Sequence, residues 1–569
     1  MTEFLLVFAL AIALGWPLGR YLAAVMRGAP MRGDRLFGLV ERPLYALLGV
    51  DPSRGMGWKG YAKAFLLSNL VLGVIVWLVL MTQAWLPLNP NGIPNMRWDL
   101  ALHTMVSFLT NTNQQHYSGQ AQLSYLTHAS AIVGLQVITP MMGLALVAAT
   151  LRGLFGGRGK SAATTDTTTN GEADVGNYWA DVIRPTVRFL LPLCLVWSLA
   201  LTSQGVPATW DGGPVATPID ASAEMPEQKI PLGPVSPMVA VKQLGTNGGG
   251  WYGPNSAVSL ENPTPFSNLL ETLALILIPV SIAFMVSGFT GRRKFSALVF
   301  GTMLTMSVIS TGAAVWSESY SATSSDIALM EGKEVRFGAA PSALWGALTT
   351  QTSNGSVNAM HDSLAPLTGL VTISNMLVNS IWGGIGCGLQ QFLVYLLLSV
   401  FLAGLMTGRT PELFGRKIEA HEVKLLAALV LLQPLALLAF TAITLAVPSI
   451  TGNSNPSFHG ISQVFYEYVS AFANNGSGFE GLGDATYWWN LSASLMLALG
   501  RYPALIIPLA IAGSLARKRA TPEGPGTLQV ETPTFALTLI AVVVILTLLQ
   551  FMPVLVLGPI ADHLALSAL

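Results

Sequence analysis

Four short runs of neutral, oxygen-bearing residues are the part of this chain best suited to chemistry. They are Thr110-Asn111-Thr112-Asn113, Gly245-Thr246-Asn247-Gly248-Gly249-Gly250, Thr352-Ser353-Asn354-Gly355-Ser356 and Ala473-Asn474-Asn475-Gly476-Ser477. No Asp, Glu, Lys or Arg occurs in 110–118, 245–253, 351–357 or 472–478. Rings of carbonyl oxygens can replace the hydration shell of a monovalent cation, whereas a divalent-cation pore carries an acidic ring and an anion pore a basic one. Gly248, Gly355 and Gly476 permit positive φ, so consecutive carbonyls can face one way. In the first run Thr112 is expected to take that place, which makes the ring asymmetric. One Asn-Gly is ordinary turn chemistry. Four such runs, each between two apolar spans, read as a filter.

Other chemistries find no support. Gly248-Gly249-Gly250-Trp251-Tyr252-Gly253 fits G-x-G-x-x-G literally but follows no strand of a βαβ unit. Gly159-Lys160-Ser161 resembles the end of a phosphate loop, yet Leu154 stands where the first Gly is required. The seven His residues show no metal-ligand spacing, and Cys194 and Cys387 lie far apart in apolar stretches. No resident cofactor is expected.

The runs need elements to hold them, and composition says which kind. Of 569 residues 52% are hydrophobic and only 10% charged, with 29 Lys+Arg against 29 Asp+Glu. Soluble domains carry about 25% charged residues, so a cytosolic enzyme and a disordered chain are both excluded. Nucleic-acid binding lacks its basic surplus. The chain is therefore a polytopic, all-α membrane protein in a lipid bilayer.

Ten spans long enough for a bilayer core stand at 4–26, 64–86, 129–151, 186–204, 268–290, 296–316, 371–407, 424–448, 487–516 and 534–558. The spans 371–407 and 487–516 exceed one straight crossing and must tilt, break or extend. The first has no basic n-region and no cleavage site, so it reads as an uncleaved helix. Five clusters after the odd-numbered spans hold 22 of the 29 basic residues, which places both termini outside. The segment 161–170 reads as a flexible linker.

The four runs all fall in long segments after even-numbered spans, each behind a stretch able to form a half-helix. Their central Asn residues are 136, 107 and 121 positions apart, which suggests one supersecondary unit used four times. Each unit is helix, re-entrant half-helix, polar loop, helix. The units are expected at 64–151, 152–290, 291–408 and 409–519, flanked by an extra first helix in 1–63 and an extra last helix in 520–569. Non-helical backbone at membrane depth persists only where it is buried in protein or lines a cavity. Within the seventh span, Gly383, Gly384, Gly386 and Gly388 read either as a helix break that gates or redirects an ion or as close helix packing through small residues, and the span's excess length favours the break. Arg501, inside the ninth span, is either functional or the mark of a kink beside Tyr502-Pro503.

These four motifs in order, with Met406-Thr407-Gly408-Arg409-Thr410-Pro411-Glu412 after the seventh span, resemble the potassium-binding A subunits of bacterial Kdp-type potassium-transporting ATPases, in the superfamily of potassium transporters. The likeness covers essentially the whole chain. It implies a filter of Thr110, Asn111, Thr112, Asn113, Thr246, Asn247, Gly248, Ser353, Asn354, Gly355, Asn474, Asn475 and Gly476 that takes potassium from the periplasm. It also implies a catalytic P-type ATPase B subunit that uses ATP and Mg, small C and F subunits completing a heterotetramer, and a place in the bacterial inner membrane. The third-repeat break is linked to gating and to a tunnel toward the B subunit. No Asp-Lys-Thr-Gly-Thr motif is present, so this chain is expected not to hydrolyse ATP itself. Gln114 and His116 stand where better-known members carry a Trp and a small residue. The alternative is a stand-alone potassium channel or symporter of the same superfamily.

Overall fold

The computed structural model describes residues 2–156, 173–220, 225–321, 330–522, 524 and 527–567; the expected linker 161–170 lies outside them. Ten apolar segments are long enough to cross a membrane: Thr2–Met26, Trp58–Trp85, Tyr125–Phe155, Tyr178–Ser203, Pro265–Thr290, Arg293–Tyr320, Cys387–Met406, Ala420–Ala446, Tyr487–Ala516 and Pro533–Ser567. Strand among the described residues is confined to two two-stranded hairpins, Val215–Ala216 with Gln228–Lys229 and Glu412–Leu413 with Arg416–Lys417.

Burial sorts the spans into two shells. The helices that follow the polar runs are the inner ones: their apolar windows are 78%, 83%, 61% and 50% buried for the third, fifth, seventh and ninth spans. Those that precede the runs face outward, at 33%, 22%, 44% and 22%. A helix that is apolar all round can sit in either shell, so neither hydropathy nor amphipathic pattern separates them. The first span lies against Pro265–Thr290, where Gly15 and Gly19 admit the backbone of Ser281 and the side chain of Phe284.

Four short helices precede the runs: Trp98–Leu109, Val235–Leu244, Ala339–Gln351 and Ser457–Phe472. At 10 to 16 residues each is too short to cross a bilayer. Each ends directly at its polar run, so four helix C-termini, with their unsatisfied carbonyls and partial negative charge, meet there. That polarity favours a cation.

The two overlong segments behave differently. The seventh is two helices, Pro366–Val378 and Cys387–Met406, with non-helical backbone between them. The ninth is one continuous 30-residue helix, Tyr487–Ala516, which carries Pro503 and Pro508 inside it.

Candidate ion filter

The runs share one backbone conformation. In each, two residues in the left-handed region flank one that is not: Asn111 (φ 59°) and Asn113 (55°), Thr246 (47°) and Gly248 (62°), Ser353 (50°) and Gly355 (86°), Asn474 (54°) and Gly476 (107°). The middle residues Thr112, Asn247, Asn354 and Asn475 donate their N–H to the carbonyl five residues back, at Ser107, Lys242, Thr349 and Ser470, over 2.9–3.2 Å. These two regularities fix the alignment of the repeats. Thr112 aligns with the three central Asn residues, and Asn113, not Thr112, occupies the place that glycine holds elsewhere. The sequence expectation was therefore one residue out in the first run, because the Asn-x-Asn spacing offers two candidates for the centre.

The runs close into a ring. Between the first and second, Asn111 Nδ2 donates to the Thr246 carbonyl at 3.1 Å and Asn113 Nδ2 to the Gly248 carbonyl at 3.2 Å. Asn354 Nδ2 reaches back from the third run to the Lys242 carbonyl at 2.9 Å, and Asn475 Nδ2 from the fourth to Thr349 at 2.8 Å. Glycine is demanded by the same closure. A Cβ at Gly248 would strike the Asn354 carbonyl, one at Gly355 the Asn475 carbonyl, and one at Gly476 the Thr112 carbonyl. The last of these contacts joins the fourth run to the first.

Asn, Thr and Ser side chains here serve mainly as struts. Thr112 Oγ1 pairs with Thr110 Oγ1 at 2.8 Å, and Thr139 Oγ1 donates to Asn111 Oδ1 at 2.9 Å. Ser353 Oγ donates to Asn379 Oδ1 at 2.8 Å. The Asn Nδ2 donors are spent on hydrogen bonds, while Asn113 Oδ1 and Asn247 Oδ1 have no hydrogen-bond partner and join the backbone carbonyls as oxygens able to meet an ion. All thirteen predicted residues lie in or beside this ring.

Behind the ring, polar groups are paired in ways the sequence did not announce. Lys242 Nζ is hydrogen-bonded to Glu261, and both side chains are fully buried. Glu261 also accepts the Tyr252 N–H at 3.0 Å. Glu271 accepts from Gln243 and Ser256 at 2.8 and 2.6 Å. Lys242 and Glu261 neutralise each other, while Glu271 is held by neutral donors.

The backbone between Val378 and Cys387 lies directly beneath the ring. Trp382 and Gly383 donate their N–H groups to the Gln351 carbonyl at 3.2 and 2.7 Å, and Ile385 donates to Thr246 Oγ1 at 3.1 Å. Asn379 (φ 46°) donates to the Ala473 carbonyl at 3.2 Å. A Cβ on Gly384 would meet Ser353 Cβ and Thr246 Oγ1 at ordinary contact distance, whereas Gly386 (φ 82°) lies against the Gly143 carbonyl of the third span. Gly388 lies against Trp382 and Gly383. The donors lost by leaving the helix are thus taken up by filter residues. Arg501 is buried beside this segment: Nη1 is 2.5 Å from Cys387 Sγ and Nη2 is 3.3 Å from the Thr139 carbonyl.

The sequence profile of the potassium-transporting ATPase A subunit matches residues 5–564. The chain belongs to that family. This A-subunit chain is 46% identical over 561 residues to the potassium-transporting ATPase potassium-binding subunit of Gloeobacter violaceus, covering 96% of this chain and 95% of that one. It is 42% identical over 572 residues to the protein of the same name from Pseudomonas putida, covering 99% and 98%. Among solved structures it is similar to the potassium transporter TrkH from Vibrio parahaemolyticus, with TM-score 0.49 and 15% identity over 88% of this chain and 96% of that one.

One cluster in the A-subunit chain escaped the sequence reading. His116, Glu467 and Asp484 place their ligand atoms within 4.8 Å of one another beside the first run. They come from three separate segments, so no local spacing could reveal them.

Proposed function

We propose that this chain is the potassium-binding and translocating subunit of an ATP-driven uptake complex, with its filter at Thr110–Asn113, Thr246–Gly248, Ser353–Gly355 and Asn474–Gly476. The observation that carries the reading is the closed, charge-free ring, with four half-helix C-termini directed at it. The relatives' shared name supplies the ion and the coupling to ATP. A bare carbonyl ring suits a cation whose hydration shell is cheaply stripped. It gives no purchase to anions.

In this reading, potassium enters from the periplasm, loses water at the ring and passes the break at Gly383, Gly384, Gly386 and Gly388. From there it moves toward a P-type ATPase B subunit that uses ATP and Mg, with C and F subunits completing the assembly. The complex sits in the inner membrane with both termini of this chain periplasmic. Purification of the chain with its native partners, followed by ATP hydrolysis with and without potassium, tests it. Potassium-stimulated hydrolysis is expected; co-purification with a soluble nucleotide-binding regulator and no ATPase would overturn it.

A further inference from the structure

The His116 cluster is an unassigned site beside the ring. His116 Nε2 stands 3.3 Å from Glu467 Oε1 and 4.0 Å from Asp484 Oδ2. Its other nitrogen, Nδ1, is 2.7 Å from Asn490 Oδ1. Asn490 Nδ2 in turn donates to Asp99 Oδ2 at 2.8 Å, which turns the amide oxygen toward His116. Arg97 holds Asp99 in place over 2.5 and 2.8 Å. An amide oxygen only accepts, so Nδ1 must carry the hydrogen. Nε2 faces two carboxylates, so a proton on Nε2, or a metal cation in that proton's place, holds the three groups together. Glu467 Oε1 also accepts a hydrogen bond from Gln114 Nε2.

We propose that His116, Glu467 and Asp484 bind a transition-metal dication of the zinc class. One imidazole and two carboxylates form a donor set of the kind that such ions take, with a fourth position open to water. Donors about 2.0–2.1 Å from one tetrahedral ion stand roughly 3.3 Å apart; His116 and Glu467 already have that spacing, and Asp484 must draw in from 4.0 Å of His116. The chain from His116 through Asn490 to Asp99 is the outer-shell arrangement that fixes the tautomer of a ligating imidazole. Glu467 is buried, while the Asp484 side chain is 28% exposed and opens the pocket to solvent.

His103 gives independent support. Its ring stacks on His116 with centroids 3.7 Å apart and planes 11° from parallel. It is fully buried, and neither of its nitrogens has a hydrogen bond of normal geometry. The pocket thus holds more ligand nitrogen than the protein's own groups satisfy. Potassium does not suit such a nitrogen-bearing site, which separates this pocket from the ring.

The full-length chain in detergent, saturated with potassium, is titrated with zinc and with cobalt(II). One equivalent is expected to bind, with cobalt giving the visible d–d absorption of a low-coordinate site and with release of a proton. The affinity should rise with pH, because the ion displaces a proton from its ligands. His116→Asn should abolish binding. Asp484→Asn, at the exposed edge, should weaken it, and Asn490→Ser should lower it about 10–100-fold. Absence of stoichiometric binding, or binding unchanged in both His116→Asn and Asp484→Asn, would overturn the proposal. Potassium binding by the same samples reads the ring separately, so failure of one assignment is told apart from failure of the other.

Discussion

At the residue scale the ring depends on atoms that are absent. Gly248 combines φ 62° with a position at which an added Cβ would strike the Asn354 carbonyl. Gly248→Ala should therefore cost about 1–2 kcal/mol in backbone strain alone, near tenfold in potassium affinity. Gly248→Asp adds a carboxylate and should abolish selective uptake. Potassium uptake competed with sodium separates the two effects, and unchanged affinity and selectivity in both variants would remove the site assignment.

His116 makes a second residue-scale prediction. Burial lowers its pKa, but Asp484 and the hydrogen bond to Glu467 more than offset this and carry it up to about 9. A raised pKa means that the imidazolium stabilises the fold below the ordinary value near 6.5 and loses that contribution as pH climbs through 9. Without metal, thermal stability should fall between pH 7 and 10, by about 3 kcal/mol at most. His116→Asn should flatten that slope, which a melting series at several pH values would check.

At the scale of elements, the runs were legible and their alignment was not. Asn-Gly punctuation in neutral surroundings announced the ring, because filters need neutral oxygen and positive φ. The register at Thr112 and Asn113 depends on hydrogen bonds to Ser107, which composition cannot order. The excess length and four glycines of the seventh span marked its non-helical stretch for the same kind of reason. Asn379 and Trp382, which brace that stretch to the ring, carry no comparable signal.

Two of the glycines of that stretch, Gly384 and Gly386, separate permeation from binding. Gly384 has room for a methyl group beneath Ser353, so Gly384→Ala should slow transport while leaving potassium affinity within about twofold. Gly386→Ala would meet the Gly143 carbonyl and should also lower protein yield. Transport rate and equilibrium potassium binding, measured on the same preparations, would show the split. A parallel loss of affinity in Gly384→Ala would count against a gate.

At the scale of the whole molecule, the sequence located the ten spans because bilayer thickness fixes their length, but it did not sort the shells. The inner and outer helices are equally apolar, and only their packing distinguishes them. The buried pairs Lys242 with Glu261 and Lys333 with Glu318 were equally hidden, since their spacings match no helical or strand repeat that would bring the partners together. Orientation is a molecular-scale prediction. Reporters active only outside the cytoplasm, fused at either terminus, should both be active, and one after Arg409 should be silent. Opposite results would reverse the ion path.

The single-chain ring has one more consequence. In a homotetrameric pore every codon change appears four times around the axis. Here Asn113 differs from its three glycine counterparts, so each quadrant answers to its own codon. Substitution at Gly248, Gly355 and Gly476, singly and in pairs, would act as a dose series in which one, then two, sides of an ion's cage are loosened. Natural variation can adjust such a cage by single faces, a finer increment than fourfold symmetry permits.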